Sequence, residues 1–131
     1  MDSYTKIAEK MLARSDLMAV ARETLEDQIS FLEGELAETG ETSGGRRAKL
    51  QLKIEDTRHR LRALYEEMER MDRGYAVLTE YQKDLLEKFI VHRTKDCVEE
   101  LSEIHCKERS ALYRDRKKAL ETFTMAVYGA L

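Results

Sequence analysis

From Leu50 to Leu78 the core-type positions return every four and three residues without a miss. They are Leu50, Ile54, Thr57, Leu61, Leu64, Met68, Met71, Tyr75 and Leu78. Four heptads of this alternation describe a long helix with one apolar seam, and such a seam needs a facing helix. The 131-residue chain contains no proline, so the commonest helix breaker is absent. Its 37% charged and 42% hydrophobic content suits long amphipathic helices better than disorder.

A partner lies just upstream. Ile7, Met11, Met18, Ala21, Leu25, Ile29, Leu32 and Leu36 recur at helical spacing and predict one helix. Asp2 or Ser3 is placed to cap its start. "ETGETSGG", Glu38 to Gly45, separates the two periodic segments with three glycines and three hydroxyl residues, and predicts a loop near 38–46. So short a connection folds the first helix back antiparallel on the second. Charge agrees. Residues 1–45 carry ten acids and four bases, and residues 46–78 carry six acids and nine bases. Two helices alone leave apolar faces in water, so a second copy is expected to complete a four-helix arrangement, as a homodimer.

Gly74 marks an expected joint, where the long helix ends or bends. Beyond it the elements shorten. Thr79 is positioned to cap a helix over about Glu80 to Val91, with Leu85, Leu86, Phe89 and Ile90 inward. "HRTKD" (92–96) reads as a turn. Thr94 or Asp96 then caps a helix carrying Val98, Leu101 and Ile104. "HCK" (105–107) is the next break, and a last helix spans about Glu108 to Phe123. The reading is all-α: residues 1–77 as a long antiparallel hairpin and oligomerisation arm, and residues 78–131 as a three-helix helix-turn-helix domain with an apolar tail.

Net charge is −3, yet residues 107–118 hold six bases against two acids. A local basic patch, rather than the global sum, is what a nucleic-acid contact requires. On the last helix Leu112, Ala119, Leu120 and Phe123 share one face. Arg109, Ser110, Tyr113, Arg114 and Lys117 form a stripe on the other. Arginine suits base edges, and arginine and lysine suit phosphates. Arg116 and Lys118 lie further back and suit backbone contacts or none.

These residues carry a resemblance. From Leu78 to Phe123 the chain is similar to region four of bacterial sigma factors, through "LLEKFI" (85–90), "VEELS" (98–102), "RSALYR" (109–114) and "KKAL" (117–120). Phage and prophage transcriptional regulators of the ArpU/RinA type, which also carry a helical N-terminal region, resemble it most. The resemblance implies binding to double-stranded DNA and control of transcription. It implies that Leu101 and Leu112 hold two helices together, that Ser102 fills the small position where they cross, and that Arg109, Ser110, Tyr113 and Arg114 face DNA. The pattern departs at one turn. His105 replaces an apolar residue, Cys106 a Gly or Asn, Lys107 an apolar residue, and Glu108 the usual Ser or Thr.

The rival reading is a helical oligomeric interaction protein, its helix-turn-helix degenerate, that binds a protein such as RNA polymerase. The tail "FTMAVYGAL" (123–131) is too apolar for water and is expected to close the domain core or dock on the hairpin. No cofactor is expected. His92, Cys97, His105 and Cys106 have zinc-binding chemistry but no CxxC or HxxxH spacing, so no metal is expected either. No phosphate loop, nucleophile elbow or HExxH points to an enzyme. Two cysteines make no disulfide framework, and no apolar run approaches the ~20 residues that span a bilayer. A reduced, cytoplasmic protein is the expectation.

Overall fold

In the computed structural model, residues 3–40 and 44–131 are described. Asp2, one of the two expected caps, and residues 41–43 of the loop lie outside them. The described chain is all-α. The helices are α1 (Tyr4–Ala13), α2 (Ser15–Glu38), α3 (Gly44–Ala76), α4 (Glu80–Leu86), α5 (Cys97–His105) and α6 (Arg109–Tyr128), with a π-helical turn, Glu87–Val91, continuing α4. Among the described residues no helix is long and apolar enough to cross a membrane. Two compact units result. One is Leu17–Met68. The other joins Met1–Asp16 to Glu69–Leu131.

In the Leu17–Met68 unit, the seam inferred from spacing is the buried one. Leu50, Ile54 and Thr57 are buried, and Leu61, Leu64 and Met68 are half-buried. Thr57 is tolerated there because its hydroxyl donates to the Lys53 carbonyl at 2.7 Å, which satisfies a polar group inside an apolar stripe. α2 and α3 pair in opposite chain directions. Arg46 donates to Glu35 at 2.6 Å, while Arg58 reaches Glu33 and Tyr65 reaches Glu26 further along. Arg47 donates to the Leu36 and Thr39 carbonyls at 3.3 and 3.1 Å. A guanidinium at the end of α2 thus donates to carbonyls of its last turn and complements its dipole.

The expected first helix is two helices. Arg14 leaves helical geometry at φ −100°, ψ 5°, and separates α1 from α2. The spacing already skips there, since Met11 and Met18 stand seven apart with Arg14 and Ser15 between them. A cation at the seam position has no place in an apolar stripe, so the stripe is interrupted. After the break, α1 buries Ala8, Met11 and Leu12, and Ile7 is left at the exposed edge. Ser3 caps α1, accepting from the Lys6 amide at 3.3 Å.

The second unit is organised around α6. Leu85, Phe89, Cys97, Val98, Leu101 and Leu112 form one cluster, with Tyr81 and Ile90 packed against it. Ala119, Leu120, Phe123 and Thr124 continue the buried face of α6. α6 runs five residues past the expected Phe123, because Phe123 and Tyr128 pack, while Met125 and Leu131 of the tail stay exposed. Tyr4 stacks on Tyr128 with centroids 5.2 Å apart, Thr5 donates to the Leu131 carbonyl at 3.3 Å, and Gly129 ends the helix at φ 72°. That left-handed conformation suits glycine. α3 continues two residues past Gly74 and ends at Ala76. Gly74 makes room for α6: a Cβ there would meet Phe123 Cδ2 at 2.5 Å and Val127 Cγ2 at 2.8 Å.

Thr79 caps α4, as the sequence predicts, and Gln82 completes a capping box. The helix then widens into the π turn, where the His92 amide donates to the Glu87 carbonyl at 2.8 Å. The His92 ring sits between two carboxylates: Nδ1 at Glu87, and Nε2 at 2.5 Å from Asp16 Oδ2.

Two measurements check these packings. Gly74→Ala should lower stability by about 1–3 kcal/mol in denaturant melts, because overpacking against a buried Phe123 outweighs the better helix propensity of alanine. Gly34→Ala, with nothing within 4 Å of its Cβ position, should raise stability by up to about 1 kcal/mol. The second concerns His92, whose pKa is raised from 6.5 chiefly by its bond to Glu87 and then by Asp16. The stability it contributes is complete below its unfolded value of about 6.5 and is lost as pH rises through the raised folded value. An NMR titration should place His92 above 6.5, and Glu87→Gln should bring it down.

Candidate nucleic-acid interface

The expected stripe lies on α6, and the packing of α5 sets which way it faces. α5 buries Cys97, Val98 and Leu101, and Leu101 and Leu112 meet in the same cluster. With Leu112, Ala119 and Leu120 turned inward, the opposite side of α6 is left to solvent. Arg109, Ser110, Tyr113, Arg114 and Lys117 are all exposed on it. Tyr113 also leans on the core, its ring 5.5 Å from Phe89.

Arg116 belongs elsewhere. It is half-buried, donates to Glu9 of α1 at 3.1 Å, and holds its guanidinium 5.5 Å from the Phe89 ring centre. It ties α1 to α6. Lys118 remains exposed.

Two of the four departures at the turn, His105 and Lys107, meet one side chain, Tyr81 of α4. His105 meets the Tyr81 ring edge-on at 4.8 Å and places Nε2 2.6 Å from Asp84 Oδ2. The Lys107 ammonium lies 5.5 Å from the Tyr81 ring centre, a cation–π distance. The Tyr81 hydroxyl donates to Asp115 Oδ2 of α6 at 2.7 Å. Ser102, half-buried, donates to the Lys107 carbonyl at 2.8 Å and closes the turn from the α5 side. Cys106 takes the left-handed conformation, φ 53°, and is the positive-φ residue other than glycine among those described. That geometry is why Gly or Asn is usual there, and a cysteine costs about 1–2 kcal/mol for it. Glu108 is extended and precedes α6 with no side-chain capping bond.

Sequence reasoning missed Tyr81, Asp84 and Asp115. Tyr81 and Asp84 are one helical turn apart and legible as a pair. Their partners stand 34 and 21 residues away, and no periodicity links them. The metal-type residues separate: His92 faces Glu87 and Asp16, His105 faces Asp84, Cys97 is buried and Cys106 exposed. Among the described residues no group of three or more is placed to hold a metal ion.

Electrostatically the stripe is positive with one acid, Asp115, at its border. Asp115 is engaged by Tyr81, and Arg114 Nε stands 3.9 Å from Asp115 Oδ1. Glu99 and Glu100 occupy the first turn of α5. The arrangement offers two guanidinium groups, an ammonium, a hydroxyl and a phenol on one side of a helix. Those groups recognise phosphates and base edges.

Burial, and next the bond to Asp115, push the Tyr81 hydroxyl up to about 12. It therefore stays a donor across all ordinary pH. Phenol titration by carbon NMR should find Tyr81 near 12, and Asp115→Asn should bring it down toward 10. A Tyr81 that ionises at 10 in the unaltered protein would mean that the turn is not buttressed this way.

Comparison with family models, with characterised proteins and with solved structures returns no match for this chain.

Proposed function

We propose that the chain is a sequence-specific DNA-binding transcriptional regulator, of phage or prophage origin, that reads duplex DNA with α6. One observation carries the reading. The first half of α6 buries Leu112 against α5 and turns Arg109, Ser110, Tyr113, Arg114 and Lys117 to solvent together. Such a helix, held at its back by a shorter one across a tight turn, enters a major groove with its N-terminal residues at base edges. In this reading Arg109 and Arg114 contact bases and Lys117 contacts phosphate, while Ser110 and Tyr113 supply shorter-range hydrogen bonds and sugar contact.

The chain acts as a homodimer in this proposal. Leu17, Val20 and Phe31 project from one side of α2 and are more than half exposed. A second copy is the simplest cover for such a face, and paired half-sites follow from a dimer.

A second reading is a helical interaction protein that binds a partner such as RNA polymerase. The same apolar face of α2 favours it, as does Glu108 at the start of the basic stripe, since a carboxylate repels phosphate. Binding to a random duplex, titrated with salt, separates the two. Micromolar affinity that weakens steeply with salt supports the DNA reading, and no binding at about 50 mM salt supports the second. Arg109→Ala with Arg114→Ala should lower affinity at least about tenfold and leave the thermal melt unchanged. Affinity that survives the double change would move the reading face away from α6.

A further inference from the structure

We propose that His92 is a proton-operated clasp on the start of α2: its imidazolium bridges Glu87 and Asp16, and its neutral ring keeps Glu87 and releases Asp16. The clasp lies within the unit of Met1–Asp16 and Glu69–Leu131 and does not depend on what α6 binds.

With both carboxylates ionised, the geometry needs two protons on one ring. Nδ1 stands at a Glu87 carboxylate oxygen, and Nε2 stands 2.5 Å from Asp16 Oδ2. An ionised carboxylate only accepts, and a neutral imidazole donates from one nitrogen alone. Both bonds therefore hold together only in the imidazolium. The π turn builds this arrangement. Residues five apart on an α-helix point about 140° away from each other, so Glu87 and His92 would not meet on one. The wider turn at Glu87–Val91, closed by the His92 amide on the Glu87 carbonyl at 2.8 Å, brings them together.

Loss of the proton leaves one N–H for two acceptors, with a lone pair facing the other carboxylate. Glu87 is five residues from His92 on the same turn, whereas Asp16 is 76 residues away. The local bond costs less chain ordering to keep. The neutral ring is therefore the Nδ1–H tautomer, and Asp16 is the partner released. Tyr75, at the end of α3, faces the same two carboxylates. Burial first, then Glu87 and Asp16, raise its pKa above 10.0, so it stays a neutral phenol while His92 titrates. Lys88 of the π turn is drawn to Asp84 at 3.7 Å. Arg14 and Arg93 are the cations nearest in the chain to Asp16 and His92. The bond to Glu87, and next the bond to Asp16, raise the His92 pKa above 6.5. The clasp is thus closed below that raised value and opens as pH rises through it. The His92 and Asp16 side chains are 55% and 71% exposed, so the clasp shifts an equilibrium by a small factor and is no all-or-none lock.

Two measurements on the full chain test the clasp. Ring-nitrogen NMR of His92 should show an imidazolium below its titration and the Nδ1–H tautomer above it. An Nε2–H tautomer means that Asp16 is the bond kept, and overturns the proposal. This measurement uses no variant, so it stands should one fold poorly. Hydrogen exchange reads the release itself. The Ala19 and Val20 amides bond to the Ser15 and Asp16 carbonyls in the first turn of α2. Their protection, corrected for hydroxide catalysis, should fall about two- to fivefold as pH rises through the His92 titration. His92→Ala and, separately, Asp16→Asn should hold protection at the lower level on both sides of that titration. His59→Gln, on α3, should leave the fall intact. A fall that survives His92→Ala, or protection that does not change through the titration, overturns the proposal.

Discussion

Burial of one face of α6 is the constraint on which the unit holding Met1–Asp16 and Glu69–Leu131 depends. Leu112, Ala119, Leu120 and Phe123 are each at most 4% exposed, and they lie along a single 20-residue helix. α5 reaches it through Leu101 and Leu112, and α1 reaches it through Arg116 and the Tyr4–Tyr128 stack. The last turns of α3 meet Phe123 through Tyr75 and the empty side of Gly74. A short helix cannot hold itself in water. α5 has only nine residues, so its stability is the stability of that shared face. Whatever faces solvent on α6 is set by the same burial, because the two sides of one helix cannot be chosen independently.

The turn between α5 and α6 illustrates how substitutions that break a pattern can form a consistent set. An apolar residue at 105 and another at 107 would bury themselves in a core. His105 and Lys107 instead both pack on one aromatic ring, Tyr81. Tyr81 is held in turn by Asp115. The polar groups are paired, which is the condition for keeping them at a part-buried site. Cys106 is different. Its left-handed backbone is a cost that no side-chain contact of comparable strength offsets, beyond a 3.9 Å approach of Sγ to the Glu103 carbonyl.

The π turn and α1 together give this unit its asymmetry. Widening the helix at Glu87–Val91 keeps Phe89 buried while carrying His92 to Asp16. π turns are rare and tend to mark functional positions. α1 meets α6 through the Arg116–Glu9 bond and the Tyr4–Tyr128 stack.

Much of the helical plan was legible in residue spacing. The 50–78 seam, the Thr79 cap, the turns at 92–96 and 105–107 and the inward face of α6 all follow from periodicity and capping chemistry. These are local properties, written within one or two helical turns. The exposure of Arg109, Ser110, Tyr113, Arg114 and Lys117 was legible for the same reason: once Leu112 and Ala119 face inward, the rest of the helix surface is determined. Packing decided what spacing could not reach. It turned α1 onto Ala8 and Leu12, gave Gly74 to the Phe123 ring, drew Arg116 toward Glu9 while Arg114 stayed outside, and gathered His105, Lys107 and Asp115 around Tyr81. The physical reason is that periodicity reports which side of a helix avoids water. Which distant residues fill that side is an energy of contact between separate helices, and it exists only once they have met.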